Sequence, residues 1–271
     1  MFVGVLTEKY MEEWVNVSVS WFNSYVGSFK GLTVNQQNNF DIKKEHSLRV
    51  ANISLKLAEK LDFLEEQSRI AYIIGLFHDL GRFSQLAEYD TLSDEKSVDH
   101  SDLALQIIQN APFFEELDLN KKNLVNTAIQ NHNKYKIQDG LTEEEMVYAK
   151  LIRDADKLDI LKVLTDYYTN RKSSPNHTLS WELPKGSTVS SAVAKEVLSG
   201  KLVSKKNVAS EMDIKIMQLS WVYDLNYRPS VELLLKNRFL EIIYNTLPKN
   251  DLVIEIYRKI KVFTENKILV K

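Results

Sequence analysis

The sequence contains no cysteine, and glycine and proline are scarce. The absence of cysteine from the 271 residues excludes disulfide bonds, thiolate zinc sites and a cysteine nucleophile. Eight glycines and five prolines leave long segments without a helix-breaking residue. A transmembrane helix needs a run of about 18 apolar residues or more, whereas the longest apolar run here covers only residues 71–77. We therefore expect no membrane partner.

The charges nearly balance, with 35 Lys and Arg against 37 Asp and Glu, which gives a net charge of −2. This balance argues against a protein that coats nucleic acid, because phosphates attract strongly basic surfaces. Apolar residues make up 44% of the chain, which is enough for a sizeable core and excludes a disordered protein. Glu8, Glu12 and Glu13 do not fit the basic start of a signal peptide. We expect a cytoplasmic protein that does not bind nucleic acid.

Apolar residues recur at helical spacing along the chain, whereas the alternation typical of strands is absent. In residues 44–62, Val50, Ile53 and Leu57 fall on one helical stripe. Thr142, with Glu145 three residues later, forms a capping-box pattern that predicts the start of a long helix running into the 160s. The sequence predicts an all-α protein, with further helices over residues 66–80, 97–110, 121–132, 189–199, 207–225, 229–245 and 250–267.

Four of the five histidines lie on the apolar stripes of four different predicted helices: His46, His78, His100 and His132. A single histidine on such a stripe is more often a hydrogen-bonded core residue. Four are harder to explain in this way, because each buried imidazole needs partners for both ring nitrogens. A shared metal site meets this need, since neutral imidazole is the commonest metal ligand. The histidines therefore favour a metal centre.

Three sequence segments carry a family resemblance. They are KEHSLRVA around His46, GLFHDLGRF around His78 and Asp79, and IRDADKLD around Asp156. In this order of residues, over about residues 40–168, the chain resembles the HD-domain superfamily of metal-dependent phosphohydrolases. The resemblance implies a helical bundle in which these four residues bind one metal.

His100 and His132 extend the resemblance to members of the superfamily that hold two metals. The second metal would then bind Asp79, His100 and His132, while the first keeps the four ligands already named. The alternative retains one metal and makes His100 and His132 acid–base or phosphate-binding groups. Asp154 is a second candidate for the last ligand, but the ADKL segment favours Asp156. Imidazoles and carboxylates without thiolates suit divalent iron, manganese, nickel, zinc or magnesium.

The expected organisation is a single all-α domain over residues 1–271. Within it, the resemblance places the HD core at about residues 40–168. A helix at about residues 5–30 precedes this core, and a helical extension at about residues 189–268 packs on it. The longest irregular stretch, Arg171–Ser190, separates the core from the extension.

Three basic residues near the proposed ligands are candidates for binding a substrate phosphate: Lys157, Arg82 and Lys134. Members of the superfamily often use a lysine after the final aspartate on a phosphate, so the resemblance implies this role for Lys157. The planar guanidinium of Arg82 suits a phosphate or carboxylate group. We expect Asp79, Lys157 and Arg82 to be catalytic, and Arg82, Lys157 and Lys134 to bind substrate. The alternative for each cation is a solvated charge or an ion pair.

Asp99 directly precedes His100, and two interpretations of it stay open. Its carboxylate either orients the imidazole of His100 or caps the helix that begins near residue 100.

The resemblance implies a phosphohydrolase that uses a metal-activated water to hydrolyse a phosphoester of a nucleotide or another small phosphorylated metabolite. Two other functions stay open on the same scaffold. One is a mixed-valent di-iron oxygenase, and the other is a non-catalytic protein that senses metal or nucleotide. The expected partner is the small phosphorylated substrate, and a homodimer is a further expectation because the C-terminal third is rich in aromatic residues.

Overall fold

Most of the chain that the structure describes is helical. This computed structural model describes residues 2–169 and 183–269, with side chains from residue 15 onward. No strand occurs in these ranges, which confirms the all-α prediction. Within the same ranges, none of the helices combines the length and the apolar character that a membrane span requires.

The chain divides into two compact units, Met1–Asp156 and Lys157–Lys271. The first unit contains α1 (Phe2–Ser28), α2 (Val34–Lys60), α3 (Glu65–Phe77), α4 (Gly81–Tyr89), α5 (His100–Ile108), α6 (Pro112–Glu115), α7 (Leu119–His132) and the first part of α8 (Glu143–Thr169). The second unit contains the rest of α8, then α9 (Ser191–Leu198), α10 (Glu211–Ser220), α11 (Arg228–Lys236), α12 (Phe239–Asn245) and α13 (Asp251–Leu269). The predicted single domain, with its core at about residues 40–168, is not tested by this division and stays a prediction.

Capping hydrogen bonds explain where two long helices begin. The predicted capping box before α8 is present, because Glu145 N donates to Thr142 Oγ1 and Thr142 N donates to Glu145 Oε2. Helix α2 starts at Val34, well before the predicted residue 44, and Thr33 and Gln36 form a second capping box at this start. The predicted helix was too short because this capping box was not recognised in the sequence.

Two other helix predictions differ from the structure. Helix α4 is missing from the prediction, because its nine residues give only a short apolar pattern. The helix predicted over residues 229–245 is two helices, since Arg238 adopts a left-handed conformation with φ of 55° and ends the helical path between α11 and α12. Residues 170–182 of the predicted irregular stretch lie outside the described residues, and residues 183–190 contain no helix.

Close packing of α2 against α3 brings two of the predicted ligands together. The apolar stripe of α2 is buried against α3, and Val50 and Ile74 are among the residues removed from solvent. At Gly75 the two backbones approach so closely that an added Cβ would lie 2.7 Å from both Ala51 Cα and Ser54 Oγ. The absence of a side chain at Gly75 therefore sets the spacing of the helices that carry His46 and His78.

A second glycine sets the spacing of α4 and α5. A Cβ added to Gly81 would collide with the carbonyl oxygen of His100 and lie 2.7 Å from Leu103 Cβ. Because Gly81 follows the His78–Asp79 pair by only two residues, its contact with α5 holds His100 beside that pair.

Candidate metal centre

The first ligand set gathers at the end of α3. The Nε2 atoms of His46 and His78 are 3.3 Å apart, and His46 Nε2 lies 3.1 Å from Asp156 Oδ1. His78 Nε2 lies 3.6 Å from the same oxygen. Asp156 comes from the middle of α8, so three helices contribute to this set. Asp156, and not Asp154, lies in the group of side chains whose ligand atoms converge here.

The second ligand set joins α5 and α7. The Nε2 atoms of His100 and His132 are 3.0 Å apart, and they lie 3.3 Å and 3.8 Å from Asp79 Oδ1. All three side chains are buried. His132 is the last residue of α7 and His100 is the first of α5, so helix ends place both rings.

Asp79 lies between the two sets, with one oxygen toward each. Its Oδ2 is 3.6 Å from His46 Nε2 and 3.7 Å from His78 Nε2. Its Oδ1 is the atom that faces His100 and His132. The structure thus brings all six sequence-predicted ligands into one cluster, with a carboxylate at its centre.

Hydrogen bonds to the far ring nitrogens fix how these imidazoles face the cluster. His78 Nδ1 donates to the Gly75 carbonyl at 2.8 Å, and His132 Nδ1 donates to the Ile129 carbonyl at 2.6 Å. Because a carbonyl oxygen only accepts, Nδ1 of each ring carries a proton, and the neutral form of such a ring presents an unprotonated Nε2 to the cluster. Burial lowers the pKa of His132 to about 4, with His100 and His78 adding to the effect, which favours that neutral form.

The carboxylates in the cluster are ionised. Burial raises the pKa of Asp79, but Lys43 and the surrounding imidazoles outweigh burial and hold the pKa well below its usual value. Burial likewise raises the pKa of Asp156, and hydrogen bonds from His46 and His78 reverse this effect and lower it strongly. The cluster combines anionic oxygens with imidazole nitrogens, which are donor types that bind divalent metals.

This donor set fits a divalent metal. Ligand atoms held at about 2.0–2.2 Å from one ion lie about 3–3.6 Å from one another, and the closest pairs here are separated by 3.0–3.3 Å. Unprotonated Nε2 atoms that face each other at such distances repel unless a cation or a proton lies between them. The groups His46–His78–Asp156 and His78–Asp79–His132 each have the convergence that a metal ion needs.

The three predicted phosphate-binding cations each have a carboxylate partner. Arg82 Nη1 donates to Asp94 Oδ1 at 2.7 Å, and its Nε lies 3.5 Å from Asp79 Oδ1. Lys134 Nζ donates to Asp99 Oδ2 at 2.7 Å. In the second unit, Lys157 Nζ lies 2.6 Å from Asp224 Oδ2. Arg82 is thus beside the cluster, whereas the other two pair with carboxylates that are not among the predicted ligands.

Asp99 takes one of its two proposed roles. Its Oδ1 accepts from Ser101 N at 2.9 Å and caps α5. The carboxylate that accepts from His100 Nδ1 is instead that of Asp94, at 2.8 Å. The N-cap interpretation of Asp99 is therefore confirmed, and the orienting contact belongs to a different residue.

Two residues that were not predicted as site residues, Lys43 and Asp94, contact the cluster. Lys43 lies one helical turn before His46 on α2, and its Nζ is 2.7 Å from Asp79 Oδ2. Its spacing of three from His46 would have placed it on the same helix face. Asp94 lies in the loop between α4 and α5, and no periodic pattern in the sequence indicates what a loop residue contacts.

Comparison with known families supports the reading of these residues. Residues 44–161 match the family model of the HD domain, and this range contains all six predicted ligands. No curated protein and no solved structure matches the chain. The HD domain is an all-α fold that binds divalent metals, and its members are mostly metal-dependent hydrolases. The match over residues 44–161, the helical fold and the convergent histidine and aspartate side chains are consistent with an HD domain in this part of the chain.

Proposed function

We propose that the chain is a metal-dependent phosphohydrolase whose centre holds two divalent metals. The observation that carries this proposal is the position of Asp79, because its Oδ2 faces one histidine pair and its Oδ1 faces the other. A carboxylate that serves two ligand sets is suited to bridging two ions. Most HD domains belong to hydrolases, which favours hydrolysis over the other chemistries that such a centre supports.

In this proposal His46, His78, Asp79 and Asp156 would hold the first metal. Asp79, His100 and His132 would hold the second. Bound divalent metals lower the pKa of water and polarise phosphoryl oxygens. The protein fixes the six ligands on five helices and their ends, and the Nδ1 hydrogen bonds of His78 and His132 hold two of the rings in place.

Basic side chains would bind the phosphate of the substrate. Arg82 is the first candidate, because its Nε is buried and lacks a hydrogen-bond partner among the described residues while lying 3.5 Å from Asp79. Lys134 and Lys157 would exchange Asp99 and Asp224 for substrate phosphate oxygens. Phosphoryl transfer depends on such charge neutralisation, since an anionic group is attacked by a nucleophile of the same sign.

The proposed substrate is a phosphoester of a nucleotide or of another small phosphorylated metabolite. The ligand cluster does not identify the base, sugar or leaving group. The cytoplasmic location and the homodimer expected from the sequence also stay predictions.

Elemental analysis of metal content per chain tests the two-metal centre. We expect two equivalents in the wild type and one in the His100→Ala/His132→Ala double variant, with helicity retained in both. A His46→Ala/Asp156→Ala double variant is the matched counterpart, and it should lose the first equivalent. One equivalent in the wild type and in the first double variant would contradict the proposal and return His100 and His132 to other roles.

Phosphate release from a panel of nucleoside monophosphates and sugar phosphates tests the hydrolase. We expect release by the metal-loaded wild type and none by Asp79→Ala. Two irons per chain, dioxygen consumption and no phosphate release would favour the oxygenase instead. Metal binding without either activity would favour a sensing role.

A further inference from the structure

The carboxylate of Asp94 is the centre of a hydrogen-bond network outside the six proposed ligands. His100 Nδ1 lies 2.9 Å from Asp94 Oδ1 and 2.8 Å from Asp94 Oδ2, so both oxygens are placed to accept its proton. Asp94 Oδ1 also accepts from Arg82 Nη1 at 2.7 Å and from Gln85 Nε2 at 2.9 Å. One carboxylate therefore contacts both a proposed metal ligand and a proposed substrate-binding cation.

The contact with His100 decides which ring nitrogen faces the cluster. An ionised carboxylate only accepts hydrogen bonds, so the proton of a neutral His100 resides on Nδ1. The lone pair of Nε2 then points toward His132 Nε2 at 3.0 Å and Asp79 Oδ1 at 3.3 Å. With the proton on Nε2 instead, an N–H group would occupy the direction from which a metal is bound.

The contact with Arg82 fixes one edge of its guanidinium. Besides Asp94 Oδ1, Gln85 Oε1 at 2.8 Å and the Leu92 carbonyl at 2.6 Å lie within hydrogen-bond distance of Arg82 Nη1, and these three acceptors share its two protons. Gln85 is itself fully buried and also donates to the Val98 carbonyl at 2.9 Å. The loop that carries Asp94 is thus tied to α4 through several hydrogen bonds, and these hold Arg82 beside Asp79.

We infer that Asp94 is a positioning residue that couples the second metal position to Arg82. The inference rests on the two-metal centre proposed above. Asp94 opens a short 3-10 turn, Asp94–Lys96, between α4 and α5. A displacement of this turn would therefore alter the ring of His100 and the guanidinium of Arg82 together. A separate cation site formed by Asp94, Asp99 and His100 is less favoured, because Arg82 and Gln85 already occupy Asp94 and the Lys134 ammonium occupies Asp99.

The test compares Asp94→Asn with Asp99→Asn. Asparagine is nearly isosteric with aspartate but removes the negative charge and replaces one acceptor oxygen by a donor, so Asp94→Asn weakens the contacts with His100 and Arg82. The control residue Asp99 lies on the same loop, and asparagine there still caps α5. Metal-free protein is examined by 15N NMR of the histidine rings, and binding of Mn²⁺ is measured by calorimetry.

In the wild type we expect His100 to carry its proton on Nδ1, and in Asp94→Asn we expect a shift toward the other tautomer. The second equivalent of Mn²⁺ should bind about 10–100-fold more weakly in Asp94→Asn, with the first equivalent unchanged. Inorganic phosphate should also bind the metal-loaded variant more weakly. Asp94→Glu, which keeps the charge, should recover part of both losses, whereas Asp99→Asn should match the wild type in metal affinity.

Unchanged affinity for the second Mn²⁺ in Asp94→Asn would overturn the inference, whichever tautomer is found. A wild-type His100 with its proton on Nε2 would overturn it as well. A wild type that takes up only one metal would instead contradict the two-metal centre, and the NMR comparison would still decide whether Asp94 orients His100. Should Asp94→Asn fail to fold, Arg82→Gln serves as the second variant. It leaves the contact between Asp94 and His100 intact, so it should weaken phosphate binding and leave the affinity for the second metal unchanged. A loss of the second metal in Arg82→Gln would contradict the inference that Asp94, and not Arg82, positions His100.

Discussion

Lys43 Nζ lies 2.7 Å from Asp79 Oδ2, the oxygen that also faces His46 and His78. The side chain of Asp79 is almost fully buried, so its charge requires a compensating cation. In the metal-free chain Lys43 provides that charge, and bound metals would provide it otherwise. Lys43 and the metals therefore compensate the same carboxylate.

This relationship predicts a conditional loss of stability in Lys43→Met. Without metal, the variant leaves Asp79 short of a cation and should lower the free energy of unfolding by about 1–3 kcal/mol. With metal bound, the loss should be clearly smaller, because the ions compensate Asp79. Urea unfolding with and without Mn²⁺ measures both values. Lys44→Met is the matched control on the same helix and should leave the free energy of unfolding unchanged with and without Mn²⁺. An equal loss of stability with and without Mn²⁺ in Lys43→Met would refute the shared role of Lys43 and the metals.

Gly75 offers a test of how helix spacing controls the first ligand set. In Gly75→Ala the new Cβ would lie 2.7 Å from Ala51 Cα, and this overpacking should cost about 1–3 kcal/mol of stability. The separation of α2 from α3 should also weaken the metal held by His46 and His78. Gly27→Ala is the control, since nothing lies within 4 Å of its added Cβ. Wild-type stability and metal affinity in Gly75→Ala would show that α2 accommodates the methyl group.

Much of this arrangement follows from the sequence, and the exceptions have physical reasons. The helices that carry the histidines were predicted because each buries a regular apolar stripe, as Val50 and Ile74 illustrate. The six candidate ligands were predicted because their order and local segments resemble a known superfamily. The break at Arg238 was missed because it contains neither glycine nor proline and depends on a left-handed residue.

Contacts across different elements were the least predictable part of the candidate site. Asp94 lies on a loop without periodicity, and its partnership with His100 follows only from how α4 and α5 pack. No sequence pattern indicates the carboxylate partner of Lys157, which is Asp224, with its Oδ2 at 2.6 Å from Lys157 Nζ. Such pairings depend on tertiary structure, which residue spacing within one helix does not encode.

Gly81 should affect the second ligand set in the way that Gly75 affects the first. A methyl group at Gly81 would meet the His100 carbonyl oxygen and Ala104 N, the latter at 2.8 Å. Gly81→Ala should therefore move α5 away from Asp79 and weaken the second metal, while the first metal keeps its affinity. Sequential metal binding followed by calorimetry separates the two steps. Loss of the first metal alone would contradict this assignment of ligands to helices.

Lys157 is predicted to bind substrate phosphate, although in the structure its ammonium pairs with Asp224. Lys157→Ala should reduce binding of inorganic phosphate to the metal-loaded protein by about 10-fold or more, the worth of one charge-assisted hydrogen bond, with metal content unchanged. Asp224→Asn keeps the lysine and removes its carboxylate partner, so phosphate should bind this variant at least as well as the wild type. Lys162→Ala, which breaks an exposed pair with Asp166 on the same helix, is the control and should have no effect. Equally weakened phosphate binding in Lys157→Ala and Asp224→Asn would mean that Lys157 serves only the ion pair within the second unit. A loss of metal in Lys157→Ala would also refute its phosphate role.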